Sequence, residues 1–204
     1  FLHGLLGNYR NLSLFENSSF IKENFNRIYV DLRNHGQSFH HQRNLIDDHV
    51  EDIHNIVENQ NINKLILIGH SFGAKVSIEY SLRYSTNLNK LILLDMGPSQ
   101  YEKKDFTYSK VFEYLSRLQN IDLDQERKKI DLCVLEASEG NIQLANYFKT
   151  NLQTTDNGAC TWRCNLLTIL NDYNQVYNYT YSNSTYKGDV LEIAGSQSDY
   201  VPKN

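Results

Sequence analysis

Gly69-His70-Ser71-Phe72-Gly73 places a serine between two glycines, directly after the apolar run Leu65-Ile66-Leu67-Ile68 and ahead of a helical stretch that begins near Phe72. Strand, tight turn and helix in that order are what a nucleophile elbow needs. The serine occupies a strained turn tip, and glycines two residues before and two after remove the β-carbons that would collide there. Ser71 Oγ would then stand exposed above a sheet, placed to attack a carbonyl carbon. The competing role is structural, because a serine just ahead of a helix commonly caps it. Both glycines and both flanking elements together favour the nucleophile. A second turn, His3-Gly4-Leu5-Leu6-Gly7, follows an apolar strand end, and such a glycine-bearing loop can aim a backbone N–H at a developing oxyanion. Leu5 N–H is expected to pair with Phe72 N–H in that hole, and His3 to stabilise the loop rather than to act as base.

Two aspartates could supply the acid at the carboxyl end of a strand, where open α/β sheets build their sites. Asp95 ends the apolar run Leu91-Ile92-Leu93-Leu94 and precedes the turn Met96-Gly97-Pro98; Asp199 follows Gly195-Ser196-Gln197-Ser198. Aligned on Val201-Pro202, the usual acid slot falls on Ser198, so Asp95 is preferred, with Ser198 and Asp199 as supporting or alternative groups. The base is missing. Elbow-serine hydrolases run nucleophile, acid, histidine along the chain, yet His3, His35, His40, His41, His49, His54 and His70 all precede Ser71. His70 is expected to point away from Ser71, His49 and His54 to ride an amphipathic helix, and the loop histidines to lie at the surface. With Phe1 at the end of a strand signal and the chain stopping just past another, the sequence reads as cut at both ends, with the histidine beyond Asn204. The chain as given is expected to be nearly inert, since loss of the histidine costs about 10⁶ in kcat.

The elements that must hold these groups alternate. Ile28-Tyr29-Val30-Asp31-Leu32, Lys64-Leu65-Ile66-Leu67-Ile68 and Lys90-Leu91-Ile92-Leu93-Leu94 are short apolar runs of the kind buried on both faces of a parallel sheet. Between the first two, Ile46, Val50, Ile53 and Val57 recur at helical spacing, with Asp47 and Asp48 early, where carboxylates complement the helix dipole. A second helix runs over about 72–83, so successive βαβ units predict an α/β fold with a doubly wound, mostly parallel sheet. From about 99 to 186 the spacing turns helical and no convincing strand appears, before Val190-Leu191-Glu192-Ile193 restores the strand signal. The expected organisation is a core over 1–98, an inserted helical cap over 99–186 and a return to the sheet over 187–204. Trp162, with Tyr101, Phe106 and Phe112, is expected to line an apolar acyl pocket beneath the cap.

Composition narrows the partners. Twenty-four acidic against twenty basic residues give a net charge of −4, no footprint for nucleic acid. Cys133, Cys160 and Cys164 read as reduced thiols, and Cys160 with Cys164 lacks a second ligand pair, so no metal and no cofactor is expected. No apolar run approaches the ~20 residues of a transmembrane segment.

These motifs resemble the α/β-hydrolase superfamily, and within it the small serine esterases that include bacterial short-chain acyl esterases and the mitochondrial abhydrolase-domain-eleven proteins. Beyond the elbow and the His-Gly turn, the resemblance rests on Arg33-Asn34-His35-Gly36, Leu94-Asp95-Met96-Gly97-Pro98 and Trp162-Arg163-Cys164-Asn165-Leu166. It implies a serine nucleophile at Ser71, an acid at Asp95, a supporting hydroxyl at Ser198 and hydrolysis of a small-molecule acyl ester or thioester. It also implies a soluble intracellular location, cytoplasmic or mitochondrial. Ala74, in place of a common glycine, and Glu192, within a strand that is usually apolar, depart from the pattern.

Overall fold

Leu32 shows why the first sheet signal yields so little strand: its N–H is donated to the His3 imidazole Nε2 at 3.0 Å, not to a backbone carbonyl. The ladder predicted over 28–32 therefore shrinks to one parallel bridge between Val30 and Leu2, closed by Val30 N–H to Phe1 O at 3.1 Å. The computed structural model describes residues 1–98, 106–196 and 198. After a 3-10 helix at Tyr9–Asn17, the first part of the chain forms α1 (Ser19–Asn24), α2 (Ile46–Asn59), β1 (Leu65–His70), α3 (Phe72–Arg83) and β2 (Leu88–Leu94). Then come α4 (Phe106–Gln119), α5 (Arg127–Ala137), α6 (Ile142–Lys149), the strands β3 (Leu152–Thr154) and β4 (Cys160–Trp162), α7 (Leu166–Tyr177) and finally β5 (Asp189–Ile193).

β1, β2 and β5 form a parallel sheet in that order. Leu2 widens it beyond β1, bridging Gly69 on one side and Val30 on the other. Its N–H meets Ile68 O at 2.8 Å and its carbonyl accepts His70 N–H at 3.0 Å. The turn that follows Leu2 is thus laid beside the carboxyl end of β1, where the elbow begins.

Two apolar clusters build the interior. Val50, Ile53 and Val57 of α2 pack with Val76 and Tyr80 of α3 and with Leu67, Leu91 and Leu93 of the sheet. Leu115, Ile130, Val134, Phe148 and Ile169 gather α4, α5, α6 and α7 into the second. Leu5 packs against both clusters. Every residue from Phe72 to Ser81 is buried, because α3 lies between the sheet and α2.

Two expectations are corrected here. The region read as free of strands contains the antiparallel hairpin β3–β4, with Leu152 opposite Trp162 and a turn closed by Thr155 N–H to Ala159 O at 2.9 Å. Three-residue strands are too short to show alternation in a sequence. His35, placed in a surface loop, is fully buried, with its Nδ1 donating to Arg33 O at 2.8 Å. Its loop turns inward because Asn34 takes a left-handed φ of 63° and bonds across it, from Nδ2 to Arg43 O at 2.9 Å. No helix among the described residues is long and apolar enough to cross a membrane.

Candidate active site

The strand-to-helix turn holds Ser71 at φ 50°, ψ −114°, and the Ser71 side chain makes no capping hydrogen bond to α3. That geometry removes the capping role, while the Ser71 carbonyl starts the helix by accepting Ala74 N–H at 2.9 Å and Lys75 N–H at 3.2 Å. A non-glycine residue in such a region stores about 1–3 kcal/mol, and the neighbours must over-determine it to keep it there. They do: Ser71 N–H is bound to Leu94 O at 3.0 Å. The flanking glycines are required by contact. A β-carbon on Gly73 would stand 2.6 Å from His3 O, and one on Gly69 would stand 2.5 Å from Ser77 Oγ.

Leu5 and Phe72 line the same cavity as Ser71. Phe72 opens α3, so its N–H belongs to the first turn, where amides lack an intrahelical acceptor. The Leu5 amide is oriented from behind: the Gly4 carbonyl in the same peptide unit accepts Gly7 N–H at 2.9 Å and His3 Nδ1–H at 2.8 Å. His3 is then a neutral imidazole with its Nε2 lone pair on Leu32 N–H, and burial pushes its pKa down to about 4.

Asp95 follows β2 as Ser71 follows β1, at a left-handed φ of 57°, with its N–H on Ile193 O at 2.8 Å. Asp95 Oδ1 accepts Gly195 N–H at 2.9 Å, and Ser198 N–H donates to Gly195 O at 3.0 Å, so Asp95 and Ser198 meet around one glycine. Asp199 and Tyr101 lie outside the described residues, as does the side chain of Phe106. His70, expected to point away from the nucleophile, lines the cavity beside it. Burial lowers the His70 pKa, while the Asp95 charge raises it. The backbone of β1 explains the difference: His70 is on the strand and Ser71 on the turn, so the two side chains share one rim.

The cavity has a volume of about 320 Å³ and is roofed by Val111, Tyr114 and Leu115 of α4, Tyr147 and Phe148 of α6, and Tyr173 and Tyr177 of α7. Trp162 is not among the lining residues; on β4 it packs against the second cluster instead. Phe112 is 41% exposed. The aromatic walls come from the i, i+4 pair Tyr173 and Tyr177 and from α6, a pattern in the sequence that reads equally well as core. Lys75 was also missed: it lines the cavity, its Nζ donates to the Tyr177 carbonyl at 2.9 Å, and burial pushes its pKa down to about 8.

The two specific signatures touch each other. Arg33 forks onto Asp52 of α2 through Nε at 2.6 Å and Nη2 at 2.7 Å. Asn34 O accepts Asn165 N–H at 2.9 Å, and the Asn165 side chain caps α7 at Thr168 N–H. Together these bonds tie α2 and the start of α7 to the loop that carries the first signature. Among the described residues no group of three or more His, Cys, Asp or Glu side chains is arranged to hold a metal ion.

A parallel sheet with a strained serine between strand and helix defines an α/β hydrolase. The chain belongs to the alpha/beta hydrolase fold family, whose profile matches residues 1–130. It is 28% identical over 202 residues to a Haemophilus influenzae protein provisionally named an esterase/lipase, covering 98% of this chain and 67% of that protein. It is 26% identical over 206 residues to the Danio rerio sn-1-specific diacylglycerol lipase ABHD11, covering 98% of this chain and 63% of the lipase. The solved structure of a marine microorganism esterase superposes with a TM-score of 0.88 at 26% identity, over 98% of this chain and 77% of the esterase. The chain thus spans about two thirds of the length of these curated relatives.

Proposed function

We propose that this protein is a serine esterase that hydrolyses acyl esters through an acyl-enzyme on Ser71. One observation carries the reading: a serine held in a strained backbone conformation, capping nothing, at the wall of an apolar cavity. Ser71 Oγ attacks the acyl carbonyl carbon as its proton passes to a histidine, and the electron pair displaced onto oxygen is held by Leu5 and Phe72 N–H. Collapse expels the alcohol, which takes the proton from the histidine. Water, deprotonated by the same base, then releases the acid and returns the proton to Ser71. No histidine follows Ser71 in these 204 residues. The reading assigns the base to a histidine outside them, oriented by Asp95 with Ser198 in support; no cofactor takes part.

The esterase and lipase names of the matching relatives support a carboxylic ester as the bond cleaved. An apolar cavity of about 320 Å³ supports an acyl chain of short to medium length. The test is turnover of p-nitrophenyl esters of graded chain length by full-length protein and by Ser71→Ala. Hydrolysis is expected to fall by about 10⁴–10⁶ in the variant. A variant within tenfold of wild type contradicts the reading, and ester binding without turnover would make the protein a hydrolase-fold binding module.

A further inference from the structure

Two cap side chains reach across to the backbone of the His3–Gly7 turn. Tyr147, on α6, donates its hydroxyl to Leu5 O at 2.7 Å, and Asn151, just after α6, donates from Nδ2 to Leu6 O at 2.6 Å. Asn151 is 1% exposed, and its own backbone is fixed on both sides: its N–H bonds Phe148 O at 3.0 Å and its carbonyl accepts Arg163 N–H at 2.6 Å. Between the two gripped carbonyls lies Leu6 at φ 55°, left-handed for a residue with a side chain. Such a conformation persists only where the surroundings impose it. The Leu5 carbonyl belongs to the peptide unit before Leu6 and the Leu6 carbonyl to the one after, so the two bonds fix both sides of the strained residue.

We propose that the cap completes the oxyanion hole: Tyr147 and Asn151 are positioning residues that hold the turn so that Leu5 N–H faces Ser71, and the hole is aimed only while α6 is seated. This rests on the serine-esterase reading. With Gly4 O held by His3 and Gly7, and Leu5 O and Leu6 O held by the cap, three consecutive peptide units are pinned. Releasing the cap bonds frees the Leu5–Leu6 and Leu6–Gly7 units and lets Leu6 relax; the second of these carries the Gly7 N–H that holds Gly4 O, so the Gly4–Leu5 unit, which bears the Leu5 N–H, loses one of its two restraints. The cap thereby makes access and catalysis one event: a seated α6 both roofs the cavity and aims the amide.

Tyr147→Phe keeps the ring on the cavity wall and deletes one bond; Asn151→Leu keeps the branching and heavy-atom count and deletes the other. On full-length protein, each is measured for kcat and KM with p-nitrophenyl butyrate, for inhibition by an alkyl trifluoromethyl ketone, and for inhibition by butyrate. The ketone forms a tetrahedral adduct whose oxyanion needs the hole, whereas butyrate binds without one. Removing an oxyanion donor costs about 10²–10³ in kcat, so misaiming one is expected to cost about tenfold, with a parallel loss of ketone affinity. KM and butyrate inhibition are expected to stay within twofold, a split that general loosening of the cap would not produce. Both variants keeping kcat and ketone affinity within twofold overturns the clamp and leaves the esterase reading standing. A wild-type protein that the ketone does not inhibit and that does not turn over the ester overturns both.

Discussion

Strain at Ser71 can be read out as stability. Glycine tolerates φ 50° without the penalty a β-carbon brings, yet costs about 0.5–1 kcal/mol in unfolded-state entropy against about 1–3 kcal/mol of relieved strain. Ser71→Gly is therefore expected to be about 1 kcal/mol more stable than Ser71→Ala in urea denaturation, with both inactive; an alanine variant at least as stable would remove the strain argument. The buried imidazoles give a second prediction. His3 has its pKa pushed down to about 4 and His35 to about 3, while His49 lies well below its ordinary value, in each case first through burial. Their charged surroundings are one another, His70, Arg33, His40 and the Phe1 amino group, with Asp31 the acidic neighbour of His35. The unfolded chain binds protons at these sites below about pH 6.5 and the folded chain does not. Stability is then fully present above 6.5 and falls with pH by about 1.4 kcal/mol per pH unit for each histidine. Chemical denaturation between pH 7 and 4.5 is expected to show this slope, and a flat profile would contradict the buried neutral cluster. The burial of His35 was not legible in the sequence, because it follows from the inward turn at Asn34 and not from local pattern.

At the scale of elements, the helix after Ser71 and the His3 turn are in backbone contact through Gly73. Gly73→Ala would push a β-carbon against His3 O and Leu2 C, and overpacking of this kind costs about 1–3 kcal/mol. Thermal denaturation is expected to show that loss together with reduced activity, since the turn carries Leu5; an unchanged melting temperature would contradict the contact. Asn165→Ala removes both the cap of α7 and side-chain bonds to the Asn34 loop, at His41 O and Asn34 Oδ1. It is expected to cost about 1–2 kcal/mol, and a neutral effect would deny the signature its tie to α7. β1 and β2 were legible because short, dense apolar runs end at glycine or aspartate, and α3 because it follows the elbow directly. The hairpin β3–β4 was not, since three residues carry no period, and neither was the shortening of 28–32, since a side chain, His3 Nε2, takes the Leu32 amide.

Among the described residues two apolar clusters meet at Leu5, with the cavity and Ser71 at their seam. β1 and β2 are covered by α3, and β5 extends the parallel sheet on the far side of β2. The fold class and the elbow could be read from spacing alone, but the cavity could not, because its walls come from α4, α6 and α7, far apart in sequence. Trp162 was misplaced for that reason: the faces that line the cavity are set by how α4, α6 and α7 pack, not by spacing along the chain.

The measurement that bears most directly on the central claim is peptide mapping by mass spectrometry after exposure of the full-length protein to a fluorophosphonate. The account predicts a single phosphonyl adduct on the Ser71 peptide, lost in Ser71→Ala. Absence of an adduct, or an adduct on another residue that survives Ser71→Ala, would contradict it.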